Sequence, residues 1–87
     1  MTEAELKLML LLYNMLSKER AKTADICART CDYGKWADCI GEMKKMEDDL
    51  RRHGYEFVYA GFNIADEIRY SVYKIVLTDD YGFVSNA

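Results

Sequence analysis

The side chains with the most chemical potential in this 87-residue chain are Cys27, Cys31, Cys39 and its single histidine, His53. A structural zinc site accepts the spacing of Cys27 and Cys31. Cys39 and His53, however, stand 14 residues apart on one predicted helix, a separation of about 21 Å at the usual helical rise. They could share an ion only if Gly41 broke that helix. The odd cysteine count, with no secretory leader, reads as reduced and mostly buried thiols, with no metal and no cofactor. Catalysis has less support still. With one histidine, no glycine-rich phosphate loop and no nucleophile elbow, no nucleophile, base and orienting group can be assembled. No enzymatic activity is expected.

Contact with nucleic acid is the other chemistry on offer. Arg29, Tyr33, Lys35, Lys44, Lys45 and Arg52 could contact DNA from the long predicted helix and its approach, with Arg20 and Lys22 left for phosphates. Asp38, Glu42, Asp48 and Asp49 share or border that face, where each would repel phosphate. The competing reading is a solvated helix of mixed charge, laced by pairs such as Lys44–Asp48 and Asp48–Arg52. Tyr55, Tyr59, Phe62, Tyr70 and Tyr73 could stack bases or a partner's side chains, or could simply pair with one another across a hairpin.

These residues must be positioned by a small number of elements. Trp36, Cys39, Ile40, Met43, Met46 and Leu50 recur at steps of three and four, the mark of one amphipathic helix after Tyr33. Arg51, Arg52 and His53 suit its negative end, and Gly54 can take the left-handed conformation that stops it. Gly41, inside that helix, marks either a close backbone approach or a bend. Upstream, Thr2-Glu3-Ala4-Glu5 fits a capping box, opening a helix expected to end near Ser17. Leu6, Met9, Leu10, Tyr13 and Leu16 form one apolar stripe on it. Leu8, Leu11, Leu12 and Met15 form a second, which a domain of this size cannot enclose, so it is expected to be a dimer interface. Lys18–Lys22 reads as a turn with a bridging strand at Arg20–Lys22. Thr23 then caps a short second helix whose inner face is Ile26, Cys27 and Thr30, and Asp32-Tyr33-Gly34 is a turn. Two strands follow, about Tyr55–Phe62 and Arg69–Thr78. Gly61 to Ile68 joins them, too long for a two-residue hairpin turn.

Composition bounds the whole. With 51% hydrophobic and 13% aromatic residues and no proline, the chain is expected to fold as one domain over 1–78 with a loosely held tail over 79–87. The Leu6–Leu16 run falls short of the roughly 20 residues a membrane span needs, and glutamates precede it where a leader would carry basic residues. A cytoplasmic protein with no membrane partner is expected. The net charge is −3, and residues 55–87 carry the deficit, with Arg69 and Lys74 against Glu56, Asp66, Glu67, Asp79 and Asp80. That is not the basic footprint phosphate binding favours.

The order helix, short strand, helix, turn, helix, strand, loop, strand resembles a winged helix-turn-helix domain: an α+β fold of three helices followed by a β-hairpin wing. Thr23-Ala24-Asp25-Ile26, the apolar Ile40, Met43 and Leu50, Leu50-Arg51-Arg52-His53-Gly54-Tyr55-Glu56-Phe57 and Tyr73-Lys74-Ile75-Val76-Leu77 carry the likeness, over roughly Leu6 to Thr78. It implies a third helix in the DNA major groove and a wing against the backbone or minor groove. Two features depart from the family: Ile26 to Gly54 is longer than in compact members, and the wing tip, Asn63 to Arg69, is acidic. The expectation is a small prokaryotic or phage transcriptional regulator that binds double-stranded DNA as a homodimer. The alternative is an acidic protein–protein interaction module, a phage inhibitor or an adaptor, that keeps the fold without binding DNA.

Overall fold

The hydroxyl of Thr2 accepts the backbone N–H of Glu5 at 3.2 Å and donates to the Glu5 carboxylate at 3.0 Å. This cap starts a helix that runs without interruption over Glu3–Thr30, here α1. The computed structural model describes residues 1–78, so the expected tail lies outside the described residues. The break expected at Lys18–Lys22, with its bridging strand, does not form, and the first two of the three expected helices are one. The reason is local. No proline occurs anywhere in the chain and the first glycine is Gly34, so nothing stops the helix. Lys18, Glu19, Arg20, Ala21 and Lys22 are all strong helix formers. Thr23, expected as a cap, instead donates its hydroxyl to the Arg20 carbonyl at 3.1 Å.

Cys31 ends α1 in the left-handed conformation (φ 59°), its N–H bonded to the Cys27 carbonyl at 2.9 Å. The expected turn follows: Asp32 accepts the N–H of Gly34 on its carboxylate at 3.1 Å, an Asx turn. The second helix, α2, spans Gly34–Arg52 and buries Cys39, Met43 and Leu50, half of the face its periodicity marked out. Gly41 is exposed, and a Cβ there would meet nothing within 4 Å. No close backbone approach explains it. Gly54 (φ 85°) ends the helical turn as expected, its N–H bonded to the Arg51 carbonyl at 3.0 Å.

Two strands, β1 (Tyr55–Ala65) and β2 (Ile68–Leu77), pair antiparallel. The long connection expected between them is a two-residue turn, with Asp66 and Glu67 at φ 54° and 65°, the positive values a tight hairpin turn takes. The register slips between Tyr59 and Gly61, leaving Ala60 as an extra residue. That bulge shifts the alternation of β1 by one, so the distal half of the strand does not read as a continuation of the proximal half. Over the described residues the architecture is α+β: two helices, then an antiparallel β-hairpin.

An aromatic stack and several polar side chains join the hairpin to the helices, among them Lys18 to Asp66, Arg20 to the Tyr73 hydroxyl and Arg51 to Glu56. The Tyr13 ring lies on Phe57 at 3.8 Å and meets Tyr73 edge-on at 5.0 Å. Among the described residues β2 has a neighbouring strand on one side only, and α1 occupies the other. Asn14 there donates to the Tyr73 carbonyl at 3.2 Å and accepts the Tyr73 N–H at 2.8 Å, while Ser17 donates to the Ser71 carbonyl at 2.6 Å. Asn14→Ala removes both bonds to Tyr73 and leaves its N–H and carbonyl unmatched, a loss of about 2 kcal/mol in urea denaturation. A parent-like midpoint would show that these bonds do not hold the hairpin.

Candidate functional site

The outward side of α1 carries an uncovered apolar stripe. Leu8, Leu11, Leu12 and Met15 are 57%, 58%, 44% and 58% exposed, whereas Leu6, Met9, Leu10 and Leu16 of the other stripe are half-buried and Tyr13 is buried. The division arises because β2 sits against Asn14 and Ser17 and α2 against Tyr13 through Glu47. Both lie behind the stripe, so no part of the described chain covers it.

The six residues expected at DNA do not form one patch. Arg29 is at the end of α1, ion-paired with Asp25. Tyr33 and Lys35 are exposed at the start of α2. Lys44 lies about two and a half turns further on, which places it on the opposite side of the helix from Lys35. Lys45 is bridged to Glu42 at 3.7 Å and Arg52 to Asp49 at 3.1 Å. Lys35 and Lys44 have no ion pair among the described residues.

The cysteines take up distinct positions. Cys27 and Cys39 are buried and Cys31 is exposed. The Cys27 thiol donates to the Asp32 carbonyl at 2.8 Å and so closes the interhelical turn. Burial pushes the Cys39 thiol above its ordinary 9.0, and the Glu19 carboxylate adds to that. His53 caps α2, its Nδ1 lying 2.9 Å from the Asp49 carbonyl. Among the described residues, no three His, Cys, Asp or Glu side chains gather where they could hold a metal ion.

The hairpin aromatics divide by position. Tyr59 and Tyr73 face each other across the strands, edge to face at 6.3 Å. Phe62 is exposed, with the Arg69 guanidinium 3.8 Å above its ring. Sequence reasoning passed over the polar residues that position everything else: Asn14, Ser17 and Glu47. Their only signal was a lone amide and a lone hydroxyl flanking leucine-rich turns, where a solvent-facing residue would read the same.

Comparison with family models, curated proteins and solved structures gives no match for this chain. No helix among the described residues is long and apolar enough to cross a membrane.

Tyr13 donates its phenol to the Glu47 carboxylate at 2.7 Å. Burial raises its ionisation well above the ordinary 10.0, and the adjacent carboxylate adds to the shift. The folded state therefore holds a proton that the unfolded state releases. The resulting stabilisation is complete below pH 10.0 and declines as pH rises beyond it, by about 1.4 kcal/mol per unit. Cys39 acts in the same sense from its own ordinary value upward. Chemical denaturation across pH 8 to 11.5 is expected to show Tyr13→Phe less stable at pH 8 and flatter above pH 10 than the parent.

Proposed function

We propose that this chain is a non-enzymatic protein–protein interaction module that pairs with a second copy of itself through the outward stripe of α1. The exposure of Leu8, Leu11, Leu12 and Met15 together on one helix carries this reading. Scattered exposed leucines are ordinary, but a contiguous apolar stripe on a small domain is characteristic of an interface. The charge balance supports a protein partner over a polyanion: the net charge is −3, and three of the six candidate DNA contacts are already engaged by carboxylates.

Light scattering at micromolar concentration is expected to give twice the 10.1 kDa chain mass. Leu11→Glu combined with Met15→Glu is expected to give the monomer mass with unchanged helical circular dichroism, since both residues are exposed. A monomeric parent overturns self-association.

A winged-helix DNA reader is the second reading, supported by the exposed Tyr33 and Lys35 at the start of α2, by Lys44, and by a hairpin that follows α2 as a wing would. It predicts a gel shift on duplex DNA that weakens steeply with salt. In the joint Lys35→Ala and Lys44→Ala variant the salt slope would fall by about 2. Absence of any shift at low salt removes that reading.

A further inference from the structure

Five arginines occur in the chain, and their partners separate them into two groups. Arg29, Arg51 and Arg52 each meet a carboxylate, at Asp25, at Glu56 and Asp48, and at Asp49. Arg20 and Arg69 meet none among the described residues; Arg20 reaches the hydroxyl of a hairpin tyrosine instead, and Arg69 lies over a hairpin ring. Arg20 donates to the Tyr73 hydroxyl at 3.4 Å, and Arg69 lies over Phe62 at 3.8 Å. Among the described residues these are the two guanidiniums without a carboxylate, and they flank a single face of the sheet. Tyr73 on that face pairs with Tyr59, and Arg69 stands opposite Ile64. Tyr59, Phe62 and Ile64 are all exposed. Tyr13 covers the proximal half of this face through Phe57, and the helices leave the distal half open.

The backbone beside this face is open as well. Among the described residues β1 has a strand neighbour on one side only. Tyr73 turns its N–H and carbonyl away from β1 to Asn14. In an antiparallel pair, its opposite number, Tyr59, must therefore turn its own N–H and carbonyl toward the open side. The same holds for Phe62 opposite Ser71 and for Ile64 opposite Arg69. The Ile64 N–H is taken by the Asn63 side chain at 2.9 Å, which protects the tip of the edge and leaves the stretch from Tyr59 to Phe62 available.

We propose that the distal hairpin is a docking site for an extended segment of another protein. The segment would add along the open edge of β1, set apolar side chains against Tyr59, Phe62 and Ile64, and present a carboxylate to Arg20 or Arg69. Edge addition gives such a peptide main-chain hydrogen bonds, and the side chains of alternate residues give it specificity. A guanidinium held over a ring, as Arg69 is over Phe62, meets a carboxylate in a fixed geometry. Phosphate would be drawn to the same arginines. A peptide, however, also gains main-chain hydrogen bonds along the edge of β1 that a nucleic acid strand cannot make. This surface is separate from the α1 stripe, so it stands or falls independently of self-association.

The test is selection of a displayed random-peptide library on the immobilised full chain, with counter-selection on the Arg20→Gln, Arg69→Gln double variant. Circular dichroism checks that the variant is folded. Enriched peptides are expected to carry Asp or Glu within alternating apolar residues, to bind the parent at least tenfold tighter than the variant, and to shift the amide resonances of Tyr59 to Arg69. Three outcomes overturn the proposal: no enrichment over the variant, shifts confined to the α1 stripe, or displacement of the peptides by oligothymidylate at lower concentration.

Discussion

The carboxamide of Asn14 takes the place of a missing strand. A two-stranded hairpin is marginal alone in water, and an unpaired strand edge is open to solvent or to another chain. Here Asn14 supplies one donor and one acceptor to the two outward groups of Tyr73, and Ser17 satisfies the outward carbonyl of Ser71. The edge of β2 is thereby closed by side chains rather than by a third strand. This works only if Asn14 and Ser17 stay in register with each other, and α1 keeps them so by continuing through both. Because the helix runs on to Thr30, the same rod that holds the hairpin also buries Thr23 and Cys27 in the neighbourhood of α2.

That arrangement fixes where the apolar surface is left over. Tyr13, Asn14 and Ser17 face the interior and are largely occupied by polar and aromatic contacts. Among the described residues the fully buried side chains are few: Met43 and Leu50 from α2 and Ser17 from α1. A core of this size cannot also enclose the second stripe of α1, so Leu8, Leu11, Leu12 and Met15 face out. The hairpin is divided in the same way. Its proximal half lies under Tyr13, and its distal half, though its tip is bridged to α1 through Asp66 and Lys18, leaves Tyr59, Phe62 and Ile64 uncovered. Both candidate interaction surfaces follow from one rod supporting more secondary structure than it can bury.

Much of this was legible in the sequence where a single period governs an element. The α2 face, its stop at Gly54, the start of β1 and the two stripes of α1 all follow from steps of three and four or of two. What was not legible depended on partners remote in the chain. Thr23 looks like a helix cap because threonine often is one; here its hydroxyl turns back to Arg20, and the helix continues. The Asp66-Glu67 turn lacks the glycine that usually announces a two-residue hairpin, and the bulge at Ala60 scrambles the alternation that would have extended β1 to meet it. Asn14 and Ser17 show their roles only once β2 lies beside them, 59 and 54 residues away.

Amide hydrogen exchange by NMR on the unmodified chain bears most directly on this architecture. The Tyr73 and Tyr59 N–H groups both point away from the strand pair, and among the described residues only Tyr73 has an acceptor, Oδ1 of Asn14. Tyr73 is predicted to exchange on the order of a hundredfold more slowly than Tyr59. Equal and rapid exchange at the two positions would contradict the account, because α1 would then not be closing the sheet.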